Sequence, residues 1–451
     1  MPIALVILAA GKGTRMKSDL PKVLHPIGQA PMLAHAMQSG AALEPARTVI
    51  VAGHGADAVK DAVQQIDETA QVVIQHDQQG TAHAVDQARA ALEGFAGDVV
   101  VLYGDTPFVR PDTLERMLAA RAQNDVVILG FHAADPARYG RLVMAGEHLD
   151  RIVEYKDATE EERAISFCNS GLMACDAQTL FDLIAQVGND NASGEYYLTD
   201  VVELARARGL SVTAVACDEA ETMGINSRAD LAGAEAVFQA RARADLLEAG
   251  VTMTAPDTVH LAFDTVIGRD SLIEPNVVFG PGVTVESGAT IRAFSHLEGC
   301  HVSRGAVVGP YARLRPGAEL AEDVRVGNFV EIKNAEIAEG AKVNHLSYIG
   351  DASIGPGSNI GAGTITCNYD GVMKHRTEIG KGAFIGSNTM LVAPVRVGSG
   401  AMTASGSVIT RNVEDNALAL ARAPQQNKPG RARKLFDLLK ARKEKQQREA
   451  D

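Results

Sequence analysis

The sequence predicts an α/β domain on a mostly parallel sheet, then a parallel β-helix, with one long helix between them. Three patterns carry this. Apolar runs of strand length alternate with helix-like segments over residues 1–227, the order of a parallel sheet covered on both faces. From about residue 251 to 413 an apolar residue returns every six positions, the period of a solenoid. Between the two, Leu231, Ala234, Phe238, Ala242 and Leu246 recur at steps of three or four, which is one helical face.

In the first part, residues 3–8, 48–52, 71–74, 98–103 and 125–130 read as buried strands. Residues 31–40, 56–66, 81–92 and 111–121 read as helices. Sheets of this kind bind ligands at the carboxyl ends of their strands. On the connecting helix, Gln239, Arg243 and Glu248 fall outside the apolar stripe, and Gly250 supplies the stop. The division expected is a domain over 1–227, a linker helix over 228–250, a β-helix over 251–423 and a basic tail over 424–451.

The β-helix rungs start at Ile267, Ile273, Phe279, Val285, Ile291 and Leu297. They resume at Val302, Val308, Leu314, Leu320, Val326 and Ile332, then Ile337, Val343 and Ile349, then Ile354 and Ile360. After a gap come Ile379, Ile385, Leu391 and Val397, with Thr403 and Ile409 in phase. Four residues past each rung stands Ala, Ser, Thr or Val, save at His301 and Glu336, where the next step is five. Three hexads make one triangular coil with the rungs stacked inside. The gap from Ile360 to Ile379 is expected to be a loop thrown out of the coil, a place where rigid scaffolds carry function.

Bulk properties narrow the function classes. A formal charge of -13 disfavours non-specific binding to nucleic acid or an anionic membrane. Five scattered cysteines without a CxxC pair argue against zinc or a redox couple and for reduced thiols in the cytoplasm. No stretch is long and apolar enough to span a bilayer, and residues 3–10 do not form a signal peptide. Residues 428–451 carry nine Lys or Arg and four Asp or Glu, which reads as a solvated or disordered tail.

The first strand runs into Leu8-Ala9-Ala10-Gly11-Lys12-Gly13-Thr14-Arg15-Met16, followed by Pro21-Lys22. Small residues let backbone amides approach phosphate oxygens, and Arg15 and Lys22 add positive charge. The spacing is neither a P-loop nor GxGxxG. Singly, Asp105 reads better as a helix cap and Asn226 better as a turn residue than as ligands.

In order, LAAGKGTRM, PKVL, QGTAHA and YGDTPF resemble the nucleotidyltransferases that join a sugar 1-phosphate to a nucleoside triphosphate. The resemblance implies a Rossmann-like nucleotidyltransferase fold whose loop, with Leu8, Gly11, Arg15 and Lys22, wraps UTP. It implies that Gln75, Gly80 and Thr81 read uracil and that Tyr103 lines the site. Asp105, at the end of the fourth strand, and Asn226 match the two protein ligands of Mg2+. Gly140, Glu154 and Asn169 match sugar-binding positions, with Phe167-Cys168 as a departure from the family pattern.

In the β-helix, His345 stands two residues past the rung Val343. Arg315 and Lys333 each follow a rung directly and are three hexads apart, so the two cations should stack on one face, as a phosphate site requires and a scaffold does not. With RLRPGA, GNFVEIK, NIGAGT and ITCNYDG, the chain resembles, almost end to end, the bacterial bifunctional glucosamine-1-phosphate N-acetyltransferase / N-acetylglucosamine-1-phosphate uridyltransferase family. The resemblance implies a left-handed β-helix and a homotrimer. It implies His345 as general base, with Arg315, Lys333, Tyr348 and Asn359 holding glucosamine 1-phosphate. Ala362, Asn368, Tyr369, Ser387, Ser405 and Arg422 match positions near acetyl-CoA. Glucosamine 1-phosphate, acetyl-CoA and UTP would be the small-molecule partners. Two other readings stay open at this point: a single-site nucleotidyltransferase whose β-helix only assembles or regulates it, and a nucleotide-sugar sensor.

Overall fold

In the computed structural model, which describes residues 1–137, 139–146, 148–191 and 193–449, the chain forms two compact units. Residues 1–245 with 261–263 make the first; residues 246–260 and the chain from 264 onward make the second.

The first unit is built on one sheet. Its order in space is Val212–Cys217, Val126–His132, Phe167–Asp176, Asp98–Tyr103, Ile3–Ala9, Arg47–Ala52 and Gln71–Ile74. Ile3–Ala9 carries no polar side chain, so it belongs at the centre, where parallel neighbours flank it and both faces are covered. Phe167–Asp176 runs antiparallel to its neighbours and carries a hairpin of Arg141–Ala145 and His148–Val153.

The expected strands form, the fifth shifted to Val126–His132. The helix expected over 81–92 is Thr81–Asp86 only. Beyond it, the amides of Gln87, Ala88 and Arg89 bond three residues back rather than four, which tightens the chain out of the α-helix.

Helix Arg228–Glu248 buries Ala234 and, against expectation, Gln239, which is 5% exposed. The Gln239 amide donates to Leu261 O at 2.7 Å and accepts from Leu261 N at 2.9 Å. A polar side chain inside the stripe is stable here because both ends of its amide are satisfied. Leu231 and Phe238 pack against Ile27, Met32, Phe108 and Ile225.

The second unit is the parallel β-helix. Every rung is buried. On the first face Ile267, Val285, Val302, Leu320, Ile337, Ile354, Ile379 and Val397 pair in succession. Ile273, Ile291, Val308, Val326, Val343, Ile360, Ile385 and Thr403 form the second. The third runs Phe279, Leu297, Leu314, Ile332 and Ile349, then Thr366, Leu391 and Ile409.

Two details of the ladder differ from expectation. The gap contains a rung: Thr366 lies six past Ile360, is fully buried, and pairs with Leu391. Its hydroxyl is satisfied inside the coil by Gly350, whose amide donates to it at 2.8 Å. The chain therefore leaves the coil only after Cys367 and rejoins it at Thr377, paired with Ala352. At the five-residue corners the small buried residue moves one place earlier, to Cys300, Ala335 and Ala352, so His301, Glu336 and Ser353 face outward.

The tail is helical over Arg431–Arg448 with no buried residue, so it is solvated but not structureless. Residues 450 and 451 of the expected tail lie outside the described residues. No helix among the described residues is long and apolar enough to cross a membrane.

Candidate functional site

The carboxyl ends of the first unit's strands open into a cavity of about 310 Å³. It is lined by Leu8, Gly11, Lys22, Gln75, Gly80, Thr81, Tyr103 and Asp105, gathered from segments nearly a hundred residues apart. Gln75 is buried and donates from Nε2 to Gly80 O at 3.2 Å. Gly80 has φ 122°, and a Cβ there would lie 2.4 Å from Tyr196 O, so only glycine lets the chain pass. Thr81 Oγ1 accepts from Leu198 N at 3.0 Å. Arg15 sits in the short 3-10 turn Thr14–Met16 and does not line this cavity.

Asp105 does not end a strand. The strand stops at Tyr103 and Asp105 lies two residues on, in the turn. From this turn its carboxylate meets Lys22. Lys22 Nζ forms an ion pair with Asp105 Oδ2 and donates to Asn226 Oδ1 at 2.7 Å. Two oxygen donors thus converge on one cationic point, a donor set that suits a hard divalent ion completed by phosphate or water oxygens. Among the described residues no group of three or more His, Cys, Asp or Glu is clustered for a metal.

Gly140, Glu154 and Asn169 form a second group in this unit. A Cβ on Gly140 would stand 3.4 Å from Glu154 Oε1 and 3.6 Å from Asn169 Cβ. Asn169 N donates to Gly140 O at 2.8 Å. Burial raises the Glu154 carboxyl above its usual range, and the charges of Asp157 and Asp200 raise it further. Tyr103 connects the two groups: burial, then Asp105 and Glu154, push its phenol well above the usual value, so it stays a neutral donor. Beneath the group, the buried Arg141 guanidinium donates to Arg163 O at 3.2 and 3.3 Å, to Ala137 O at 3.1 Å and to Tyr139 O.

In the second unit, the expected residues follow the corner between the second and third faces. Gly363 N donates to His345 O at 3.2 Å, Asn388 N to Ala362 O at 2.7 Å, and Gly406 N to Ser387 O at 2.8 Å. Arg422 Nη1 then donates to Ser405 O at 3.0 Å. His345, Ala362, Ser387, Ser405 and Arg422 therefore stand in successive coils along one edge. On the amino-terminal side the same edge continues through Asn328 and the stacked rings of Phe329, Tyr311 and Phe294.

His345 is exposed, and its Nδ1 lies 2.9 Å from Asn328 Oδ1. With that amide oxygen accepting, Nδ1 holds the hydrogen and Nε2 keeps a free lone pair. A depression of about 350 Å³ with Arg292, Arg325 and Asn344 in its wall reaches His345.

Arg315 and Lys333 occupy adjacent coils of the third face, where Leu314 pairs with Ile332. Tyr348 follows in the next coil. Asn359 lies on the second face, between Lys342 and Phe384. Asn368 and Tyr369 open the extruded loop. Asn368 is buried and donates to Asp351 Oδ2, whereas Tyr369 is exposed.

The loop also brings in a residue that spacing did not reveal. Lys374 lies against Lys333 and, by hydrogen bonding and then by charge, with Arg315 adding, lowers the Lys333 pKa below its usual value. Arg315 Nη1 donates to Glu331 Oε1 at 2.8 Å, and Lys333 and Lys374 are the two cations beside it that an anion could meet. Asn328 and Lys374 were both missed, because each depends on a neighbour a coil or more away. The cavity residues Gln78 and Glu195 were missed likewise.

Relatives add the family context. A MobA-like NTP transferase domain model matches residues 5–170, and a bacterial transferase hexapeptide (six repeats) model matches residues 264–299 and 376–411. The chain is 79% identical over 449 residues to the bifunctional protein GlmU of Ruegeria pomeroyi, covering 100% of both chains. It is 76% identical to that of Ruegeria sp. (strain TM1040), covering 98% of this chain and 99% of the relative. The protein of the same name from Jannaschia sp. is 67% identical, covering 98% of each. Similarity at this level over whole chains spans both units together.

Proposed function

The chain belongs to the family of bifunctional GlmU proteins, and on that premise we propose that it makes UDP-N-acetylglucosamine in two steps at two separate sites. It first acetylates glucosamine 1-phosphate with acetyl-CoA on the β-helix. It then transfers a uridylyl group from UTP to N-acetylglucosamine 1-phosphate in the α/β unit and releases pyrophosphate. The observation that carries the two-site reading is the single edge from His345 to Arg422. A β-helix serving only as an assembly scaffold has no use for a histidine oriented by Asn328, nor for Lys333, Lys374 and Arg315 gathered at one place, so that reading is not favoured.

In the acetyl transfer, Arg315, Lys333 and Lys374 bind the sugar phosphate. Tyr348, Asn359 and Asn368 orient the sugar. His345 Nε2 takes a proton from the 2-amino group as its nitrogen attacks the thioester carbonyl carbon. The carbon–sulfur bond then breaks, and His345 returns the proton to the leaving thiolate. Ala362, Tyr369, Ser387, Ser405 and Arg422 flank the CoA.

In the uridylyl transfer, a phosphate oxygen of N-acetylglucosamine 1-phosphate attacks the α-phosphorus of UTP, and the bond to the bridging oxygen of pyrophosphate breaks. The nucleophile is already anionic and needs no base. A divalent cation, Mg2+ in this reading, supplies neutralisation between the two anions when held by Asp105 and Asn226. Gly11 and the loop amides, with Arg15 and Lys22, stabilise the triphosphate. Gln75, Gly80 and Thr81 face the uracil, and Gly140, Glu154 and Asn169 face the sugar.

We take the working assembly to be a homotrimer, because a flat-faced coil offers sides for packing. The free cysteines and the pool of UTP and acetyl-CoA suit the cytoplasm. A coupled assay tests the whole reading. With glucosamine 1-phosphate and UTP, pyrophosphate release should require acetyl-CoA; with N-acetylglucosamine 1-phosphate it should not. Equal release from glucosamine 1-phosphate with and without acetyl-CoA would defeat the two-step order.

A further inference from the structure

Lys22 fills the point on which Asp105 and Asn226 converge. Its ammonium pairs with Asp105 Oδ2 and donates to Asn226 Oδ1 at 2.7 Å, and its side chain is only 11% exposed. The stem is held on a fixed path. Gly13 stands at φ 58°, and a Cβ there would lie 2.6 Å from Lys22 Cβ. The lysine passes through a notch that glycine alone leaves open, so its charge is delivered to these two oxygens and not to solvent.

A carboxylate and an amide oxygen around one cation are what a hard divalent ion takes from a protein. They cannot serve two cations at once, since an ammonium and a divalent ion at this separation repel strongly in a partly buried site. We propose that Lys22 is an internal competitor for the divalent cation. It withholds Asp105 and Asn226 from metal until a nucleoside triphosphate draws the ammonium away, so that metal and nucleotide bind with positive coupling. This rests on reading Asp105 and Asn226 as the metal-facing pair.

The energetic logic is a choice of partners. Without nucleotide, a metal ion must displace Lys22 and leave a mostly buried ammonium unpaired, which is costly. With a triphosphate in the cavity, the displaced ammonium gains charge-assisted bonds to phosphate oxygens. Linkage makes the effect reciprocal: metal tightens nucleotide binding by the factor by which nucleotide tightens metal.

Mn2+ is the probe, its free concentration read by electron paramagnetic resonance on the full chain, with and without α,β-methylene-UTP, and corrected by a protein-free titration for the Mn2+ that the nucleotide binds in solution. The unsubstituted protein should bind Mn2+ about tenfold more tightly with the analogue. Lys22→Met should bind Mn2+ about tenfold more tightly than the unsubstituted protein when no nucleotide is present, and should keep only the coupling that direct phosphate ligation of the metal supplies. Lys22→Gln serves if the Met variant fails to fold. Repeating the titration at about 0.5 M KCl screens distant charge but not direct competition. An Mn2+ affinity unchanged by the substitution, a gain abolished by salt, or coupling equal to that of the unsubstituted protein each overturns the proposal. Asp105→Asn separates the two layers. If it binds Mn2+ normally, the metal reading falls and this proposal with it. If it loses Mn2+ while Lys22→Met behaves as the unsubstituted protein does, the proposal alone falls.

Discussion

Asn328 stands one coil before His345 and holds its Nδ1 at 2.9 Å through Oδ1. Register makes this contact, since Asn328 and His345 are paired residues of neighbouring strands. His345→Ala should lower acetyl transfer by roughly 10²–10⁴ and leave uridylyl transfer from UTP nearly intact. Asn328→Ala should lose a smaller part of the same activity, chiefly in kcat, because it frees the ring and removes no substrate contact. Parallel assays of both half-reactions check this; a joint loss of both would contradict separate sites.

Lys374 supplies the third cation beside Lys333 and Arg315. Lys374→Ala should raise the KM for glucosamine 1-phosphate about tenfold, as expected for one charge-assisted contact of about 1.4 kcal/mol. The KM for acetyl-CoA should stay within about twofold, since such contacts act locally. Lys374→Arg should recover most of the loss. Steady-state kinetics with each substrate varied in turn separates this from a general collapse of the loop, which would move both KM values.

Asp200 gives a pH signature. Burial, then Glu203 and Asp157, raise its carboxyl to about 6, whereas an unfolded aspartate titrates near about 3.9. The fold therefore prefers the protonated form. The stabilisation is fully present below about pH 4 and is lost as pH rises through about 6. The Tm of the unsubstituted protein minus that of Asp200→Asn should fall between these limits and then level off. Calorimetry at a series of pH values reads it; a difference constant from acid to neutral pH would count against the raised carboxyl.

Helix Arg228–Glu248, most of which belongs to the α/β unit, sets where a fragment can be cut. Leu231, Ala234 and Phe238 cover Ile27, Met32, Phe108 and Ile225, and a fragment ending at 228 exposes that cluster. A fragment of residues 1–248 should retain uridylyl transfer and melt several degrees above one of residues 1–228. Equal melting temperatures would show that the helix adds nothing to the unit.

The ladder was legible because an inward side chain recurs with the geometry of the coil, whatever the outer residues do. Even Thr366 sits in phase with Ile360, hidden because the whole stretch from Ile360 to Ile379 reads as loop. The chemistry of the loop after Leu8 was legible because its residues are contiguous. What stayed hidden depends on distant partners. Lys22 meets Asn226 from 204 residues away. Gln239 is inward only because Leu261 returns to bond it. The apolar run ended the strand correctly at Tyr103; Asp105 was placed at its end by the resemblance alone, and the turn at Gly104-Asp105 carries no apolar signal.

The edge that carries His345, Ala362, Ser387, Ser405 and Arg422 has a metric consequence. Parallel coils stack at the interstrand spacing of about 4.8 Å, so four steps set the histidine and the terminal arginine roughly 19 Å apart along the axis. On the proposed function, the fold would act as a graduated ruler for a long, flexible thioester carrier, with the acyl end read at one mark and the phosphate end at another. Removing one whole coil between the two marks would preserve every local contact and still shorten the scale by one division.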